Sequence, residues 1–204
     1  MHFTVLQQDA LVEILNTGFA SAGAALTKLT GQGVGVEVAQ ISMCPLDELS
    51  SSLRPIIGGD IATVHQIFAG SLVGDALLAI DHQSGTMLKE LLTNEPAMPL
   101  EIDASAREVL TEIGNVLLNA CVGTFGNLLD ARMSFSVPLL TLETLDGVVS
   151  SIRMHQDGLR YALIIHAALR MKRSTLSGYL IVVLSGGSIE RLIRGVDKWE
   201  RDHA

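Results

Sequence analysis

The chain has 204 residues, 48% of them hydrophobic, with 14 Lys and Arg against 22 Asp and Glu and a net charge of −8. That length and apolar content suffice for a sizeable core, and the acidic balance argues against binding a nucleic-acid backbone or an anionic membrane surface. Mean hydropathy is positive, at +0.39, yet no uninterrupted apolar stretch approaches the ~20 residues that a bilayer span needs.

The first residues, MHFTVLQQDALVEILN, lack the basic start, apolar block and small-residue cleavage site of a secretory signal, so a cytoplasmic location is expected. From Asp9 to Leu29 the apolar side chains Leu11, Ile14, Leu15, Phe19 and Leu26 recur at helical spacing, and Gly31 marks the end. Val34 to Ile41 alternates as a strand. Ile61–Ala69 and Leu72–Ile80 predict a hairpin around Gly70-Ser71, followed by a short helix over Ser84–Leu92. Thr93 to Pro99, with two prolines, reads as a linker. A second helix is expected over Ala104–Leu129, strands near Met133–Leu140, Leu159–Leu169 and Ser177–Leu184, and a last helix from Ser188 to about Glu200.

The second series repeats the first. Glu13, Asn16 and Asp47 recur as Glu112, Asn115 and Asp146, each displaced by 99 positions. Farther on, Gly74 to Ile80 is mirrored by Gly178 to Leu184, and Ser84 and Leu88 by Ser188 and Leu192, now displaced by 104, so about five residues were gained between strands of the second copy. A repeat this long is not a solenoid unit; it predicts two halves about a pseudo-two-fold axis, in one domain with repeats over about 9–93 and 104–201. Strands bracketed by helices, without βαβ alternation, give an α+β fold in which an antiparallel sheet is covered by the two long helices.

Polar residues interrupt the apolar helices in one pattern. Asp9, Glu13 and Asn16 project from one face of the first helix, and Glu108, Glu112 and Asn115 from the second. A carboxamide both donates and accepts hydrogen bonds, so it can orient a water, while a carboxylate beside it can pair with a cation. A single Glu-x-x-Asn is common on solvated helix faces; its recurrence in both copies singles this one out. Other groups carry blander readings. Cys44 and Cys121 are isolated and read as buried thiols, and the six His are too scattered for a metal site, His166 reading as a hydrogen-bonded core residue. Ser185-Gly-Gly-Ser188 lacks the Lys and length of a P-loop and reads as a capped turn, like Gln83-Ser84-Gly85. Arg170, Lys172 and Arg173 read as a solvated hairpin tip.

These residues carry a resemblance. The sequence resembles the CheC–CheX–FliY family of response-regulator phosphatases, most of all its stand-alone CheC type, whose signature is Asp or Ser, three residues, Glu, two residues, Asn, twenty-two residues and Pro. Asp9, Glu13 and Asn16 match the front of that signature, and Glu112, Asn115 and Pro138 match its Glu, Asn and Pro. Two positions depart: Ala39 stands where the first copy would have Pro, which would loosen the first site, and Glu108 where the second would have Asp or Ser. The resemblance implies hydrolysis of the aspartyl-phosphate of a CheY-like chemotaxis regulator. Asn16 and Asn115 would place the attacking water, Glu13 and Glu112 would engage a Lys of the regulator, and Asp9 and Glu108 would help to bind it. The regulator would bring its own Mg2+, so no cofactor of this chain is expected. The alternative is a non-catalytic adaptor that holds a phosphorylated regulator or a CheD-like deamidase. A flagellar-switch component of the FliY type is the weaker reading, because the chain leaves no room for a further switch-binding domain.

Overall fold

The structure, a computed structural model, describes residues 3–57, 61–81, 84, 104–155, 158–172 and 175–203. The first helix, α1 (Val5–Thr30), begins at a reciprocal cap in which Thr4 Oγ1 accepts from Gln7 N and Gln7 Oε1 accepts from Thr4 N. It stops at Gly31, whose φ of 67° is the left-handed conformation that a side chain would disfavour. Its counterpart α3 (Ala104–Leu128) ends the same way 99 positions on, with Asp130 at φ 46°. There Ala131 N donates to Gly126 O and Asp130 N to Asn127 O, the two bonds of a Schellman turn.

The strands are β1 (Gly35–Pro45), β2 (Ile61–Gly70), β3 (Gly74–Asp81), β4 (Met133–Phe135), β5 (Leu139–Glu143), β6 (Leu159–Arg170) and β7 (Thr175–Ser185). They form one antiparallel sheet in the order β1-β6-β7-β3-β2-β4, with β5 also pairing β2. The halves are thus interleaved: the first strand of each copy pairs with the hairpin of the other. The symmetry is legible in the register. Leu77 pairs with Ile181, its own image at a displacement of 104, so the pseudo-two-fold axis passes through that pair. Val64 opposite Leu78 becomes Leu163 opposite Val182, a displacement of 99 in one strand and 104 in the other. The five residues gained by the second copy therefore lie in its longer hairpin.

One sheet face is buried by α1, α3 and α5 (Gly186–His203), around Phe19, Phe68 and Phe125. The other face is covered by two short elements that the sequence did not reveal: a 3-10 turn (Leu46–Glu48) leading into α2 (Leu49–Leu53), and α4 (Leu145–His155). Leu49, Leu53, Val148 and Ile152 pack there against Ile61, Leu77 and Ile181. The antiparallel α+β fold under two long helices is as expected, with that second covering added. By length and composition α1 and α3 could cross a membrane, but in this fold their apolar faces are taken by the sheet and by one another.

Two departures from the expected strands matter later. The strand expected over Met133–Leu140 is divided into β4 and β5, with Pro138 in the gap. Pro cannot donate to a ladder, and here it lies on a sheet edge, where that loss is tolerated. In β1 the register shifts between Val38 and Gln40, leaving Ala39 as an extra residue. Core-facing residues accordingly change parity, from Val34 and Val38 to Ile41 and Met43. The expected helix over Ser84–Leu92 and linker over Thr93–Pro99 lie outside the described residues, Ser84 apart.

Candidate functional site

The two polar patches lie on the outer faces of α1 and α3. Asp9, Glu13, Glu108 and Glu112 are exposed, and Asn16 and Asn115 are half-buried at the margin between solvent and sheet. Apolar neighbours set this placement: Ile14 and Leu15 anchor Glu13 and Asn16 from beneath, as Ile113 does for Glu112 and Asn115. In the second copy Gly114 allows a closer seat, since a Cβ there would stand 2.5 Å from Cβ of Val64. None of the four carboxylates has an ion-pair partner among the described residues.

Each Asn amide is tethered by its oxygen, by different means. Asn16 Oδ1 accepts from Val38 N at 2.8 Å. That donor sits at the bulge, where the backbone is out of step with the neighbouring strand. At the position of Ala39, where a looser first site was expected, the strand thus carries a bulge, and the residue before it holds the Asn16 amide. In the second copy the strand is broken at 136–138, and Ser136 stitches the gap to β2: its N donates to Ile67 O at 2.8 Å, its Oγ accepts from Ile67 N at 2.9 Å and its O accepts from Gln66 Nε2 at 2.8 Å. Asn115 Oδ1 accepts instead from Asn119 Nδ2 at 2.8 Å, one turn along the same helix. Neither Asn16 Nδ2 nor Asn115 Nδ2 has a partner among the described residues.

The first patch opens onto a groove of about 420 Å³ between α1 and α5, lined by Leu6, Asp9, Ala10, Glu13, Trp199 and Arg201 among others. Gln7 Nε2 donates to Asp197 Oδ1 at 2.8 Å and holds the two helices together. Trp199 stacks on His203 with ring centroids 4.3 Å apart.

No family model matches the chain. Across 197 residues, 91% of each chain, it is 24% identical to the CheY-P phosphatase CheC of Bacillus subtilis (strain 168). The FliY structure of Thermotoga maritima superposes with a TM-score of 0.76 at 16% identity, covering 97% of this chain and 99% of that one. The chain is thus similar to the CheC–CheX–FliY family, in sequence to CheC and in fold to FliY. The family's fold extends to the FliM middle domain (51–229) of Vibrio alginolyticus, with a TM-score of 0.62 at 12% identity over 91% of this chain and 99% of that one.

Within the family's signature residues, the structure gathers Asp9, Glu13 and Asn16 on one helix face, and Glu108, Glu112 and Asn115 on another. Asp47 and Asp146, the third repeated position, lie elsewhere, on the opposite sheet face. Asp47 pairs there with Arg153, and Asp146 with Arg54. Sequence reading missed Asn119 and Trp199. Asn119 left a signal, a second amide four residues after Asn115 where the first copy has Ala20; Trp199 left none.

Ser188 N donates to Ser185 Oγ at 3.2 Å, the capped turn expected there; Gln83 and Gly85 lie outside the described residues. Cys44 and Cys121 are free and buried, and burial raises both thiol pKa values. His166, expected as a hydrogen-bonded core residue, is half-buried and stacks on Tyr179 at 4.9 Å, and its buried Nε2 has no hydrogen-bond partner among the described residues. Arg170 pairs with Glu37 at 2.6 Å beside the β6–β7 turn, and Arg173 lies outside the described residues.

Proposed function

We propose that this chain hydrolyses the aspartyl-phosphate of a CheY-like response regulator, with one site on α1 and one on α3. The observation that carries the reading is the same in both copies: a half-buried Asn held by its amide oxygen, with an exposed Glu three residues earlier that has no ion-pair partner among the described residues. Similarity over 91% of both chains to a protein named as a CheY-P phosphatase supports it.

The chemistry asked of the chain is modest. Water attacks phosphorus in line, the phosphorus–carboxylate bond breaks, and inorganic phosphate leaves with the aspartate restored; positioning supplies most of the rate. A tethered amide suits this. Its oxygen has two lone pairs, one filled by Val38 N in the first site or by Asn119 Nδ2 in the second. The other accepts a proton of the attacking water and turns the water's lone pair toward phosphorus, while Nδ2 donates to a phosphoryl oxygen. Glu13 and Glu112 pair with a Lys of the regulator and fix the docked register, and Asp9 and Glu108 add to the acidic rim. The Mg2+ belongs to the regulator, and this reading places the chain in the cytoplasm.

The rival reading is an adaptor that binds a regulator or a CheD-like deamidase without turnover, favoured by the likeness in fold to the FliM middle domain. Phosphate release separates the two. The protein mixed with phosphorylated Bacillus subtilis CheY is expected to accelerate release catalytically; binding with an unchanged lifetime of the phosphoryl group would favour the adaptor.

A further inference from the structure

We propose that Asn119 is a positioning residue for the second site, doing with a side chain what the backbone of Val38 does in the first. The proposal rests on the phosphatase reading and deepens it. Asn119 Nδ2 donates to Asn115 Oδ1 at 2.8 Å, and that is the bond fixing the Asn115 amide. Asn119 is a poor choice for stability alone. Its Oδ1 is buried without a partner among the described residues, a desolvation cost that an apolar residue avoids, and Asn favours a helix interior less than Ala does. The first copy has Ala20 at the matching position and needs nothing more, because the bulge at Ala39 presents Val38 N to Asn16. In the second copy the counterpart of Val38 is Val137, which lies in the strand interruption at 136–138, and Asn115 Oδ1 accepts from Asn119 Nδ2 instead. A side-chain donor one turn along α3 fills the gap, and the two sites thus hold the same amide by different donors.

The test has one arm that does not depend on catalysis. In 15N relaxation of the side-chain amides, N119A is expected to lower the heteronuclear NOE of Asn115 and leave that of Asn16 unchanged; an unchanged Asn115 signal would overturn the proposal. The second arm uses phosphorylated Bacillus subtilis CheY. With the first site removed by N16A, adding N119A is expected to lower kcat about fivefold, the rate equivalent of one hydrogen bond, with KM unchanged. With Asn115 already replaced by Ala, N119A is expected to cost nothing further. Equal losses in both backgrounds would mean a general packing role and refute the assignment. Full activity in N16A/N115A would instead refute the phosphatase reading itself, whatever the relaxation arm shows.

Discussion

Arg54 Nη2 lies 3.0 Å from Asp146 Oδ2, and Arg153 meets Asp47 in the matching bond. Each residue is displaced from its counterpart by 99 positions. The two ion pairs are images of one another and run crosswise, each joining one copy to the other between the short helical elements. The repeated aspartates are therefore structural partners of repeated arginines, far from the Glu–Asn patches.

These pairs are exposed, at 67% and 65% for Arg54 and Asp146. A double-mutant cycle with R54A and D146A should give a coupling of roughly 0.2–1 kcal/mol at low salt, shrinking as salt is added. The cycle with R153A and D47A should give the same. Urea unfolding measures both, and a salt-independent coupling would contradict the assignment.

Gly114→Ala should be destabilising by about 1–3 kcal/mol, because the added methyl would overlap Val64 and push α3 off the sheet beside Asn115. A lower urea midpoint with an unchanged slope is the expected signature, together with weaker activity in an N16A background.

Cys121 is fully buried, and burial alone raises its thiol pKa well above the ordinary value of 9.0. The folded state holds that proton more tightly than the unfolded chain does. The stabilisation is therefore complete below about pH 9 and is lost progressively as pH rises above it. Native protein at pH 8 should leave Cys121 unlabelled by a thiol reagent while unfolded protein labels fully; rapid native labelling would show that the α3 interior opens.

Glu13→Gln with Glu112→Gln should weaken binding of the phosphorylated regulator by about 1 kcal/mol, through slower encounter, and flatten its salt dependence. Titration of affinity against ionic strength checks this; an unchanged salt slope would remove the carboxylates from the docking contact.

The long helices were legible because their apolar spacing and caps are local, as Gly31 at the end of α1 shows. The duplication was legible because Glu13, Asn16 and Asp47 recur at one displacement. What pairs with what was not legible, since the interleaving of β1 with β6 and of β2 with β4 and β5 is set by long-range contacts. The short helices over Leu49–Leu53 and Leu145–His155 were missed because so few turns carry little periodicity. In fact Arg54 and Arg153 repeat at the same displacement as Asp47 and Asp146 and could have announced the crosswise pairs. The patches themselves were legible, but their tethers were not: Asn16 bonds to Val38 at a bulge in β1, which no local pattern shows.

Asn16 and Asn115 are proposed to steer water onto a partner's phosphoryl group. The most direct test compares N16A/N115A with the unaltered protein, following both regulator binding and phosphate release from phosphorylated Bacillus subtilis CheY. Binding preserved within about twofold with accelerated release abolished is the predicted result; release as fast as with the unaltered protein would contradict it.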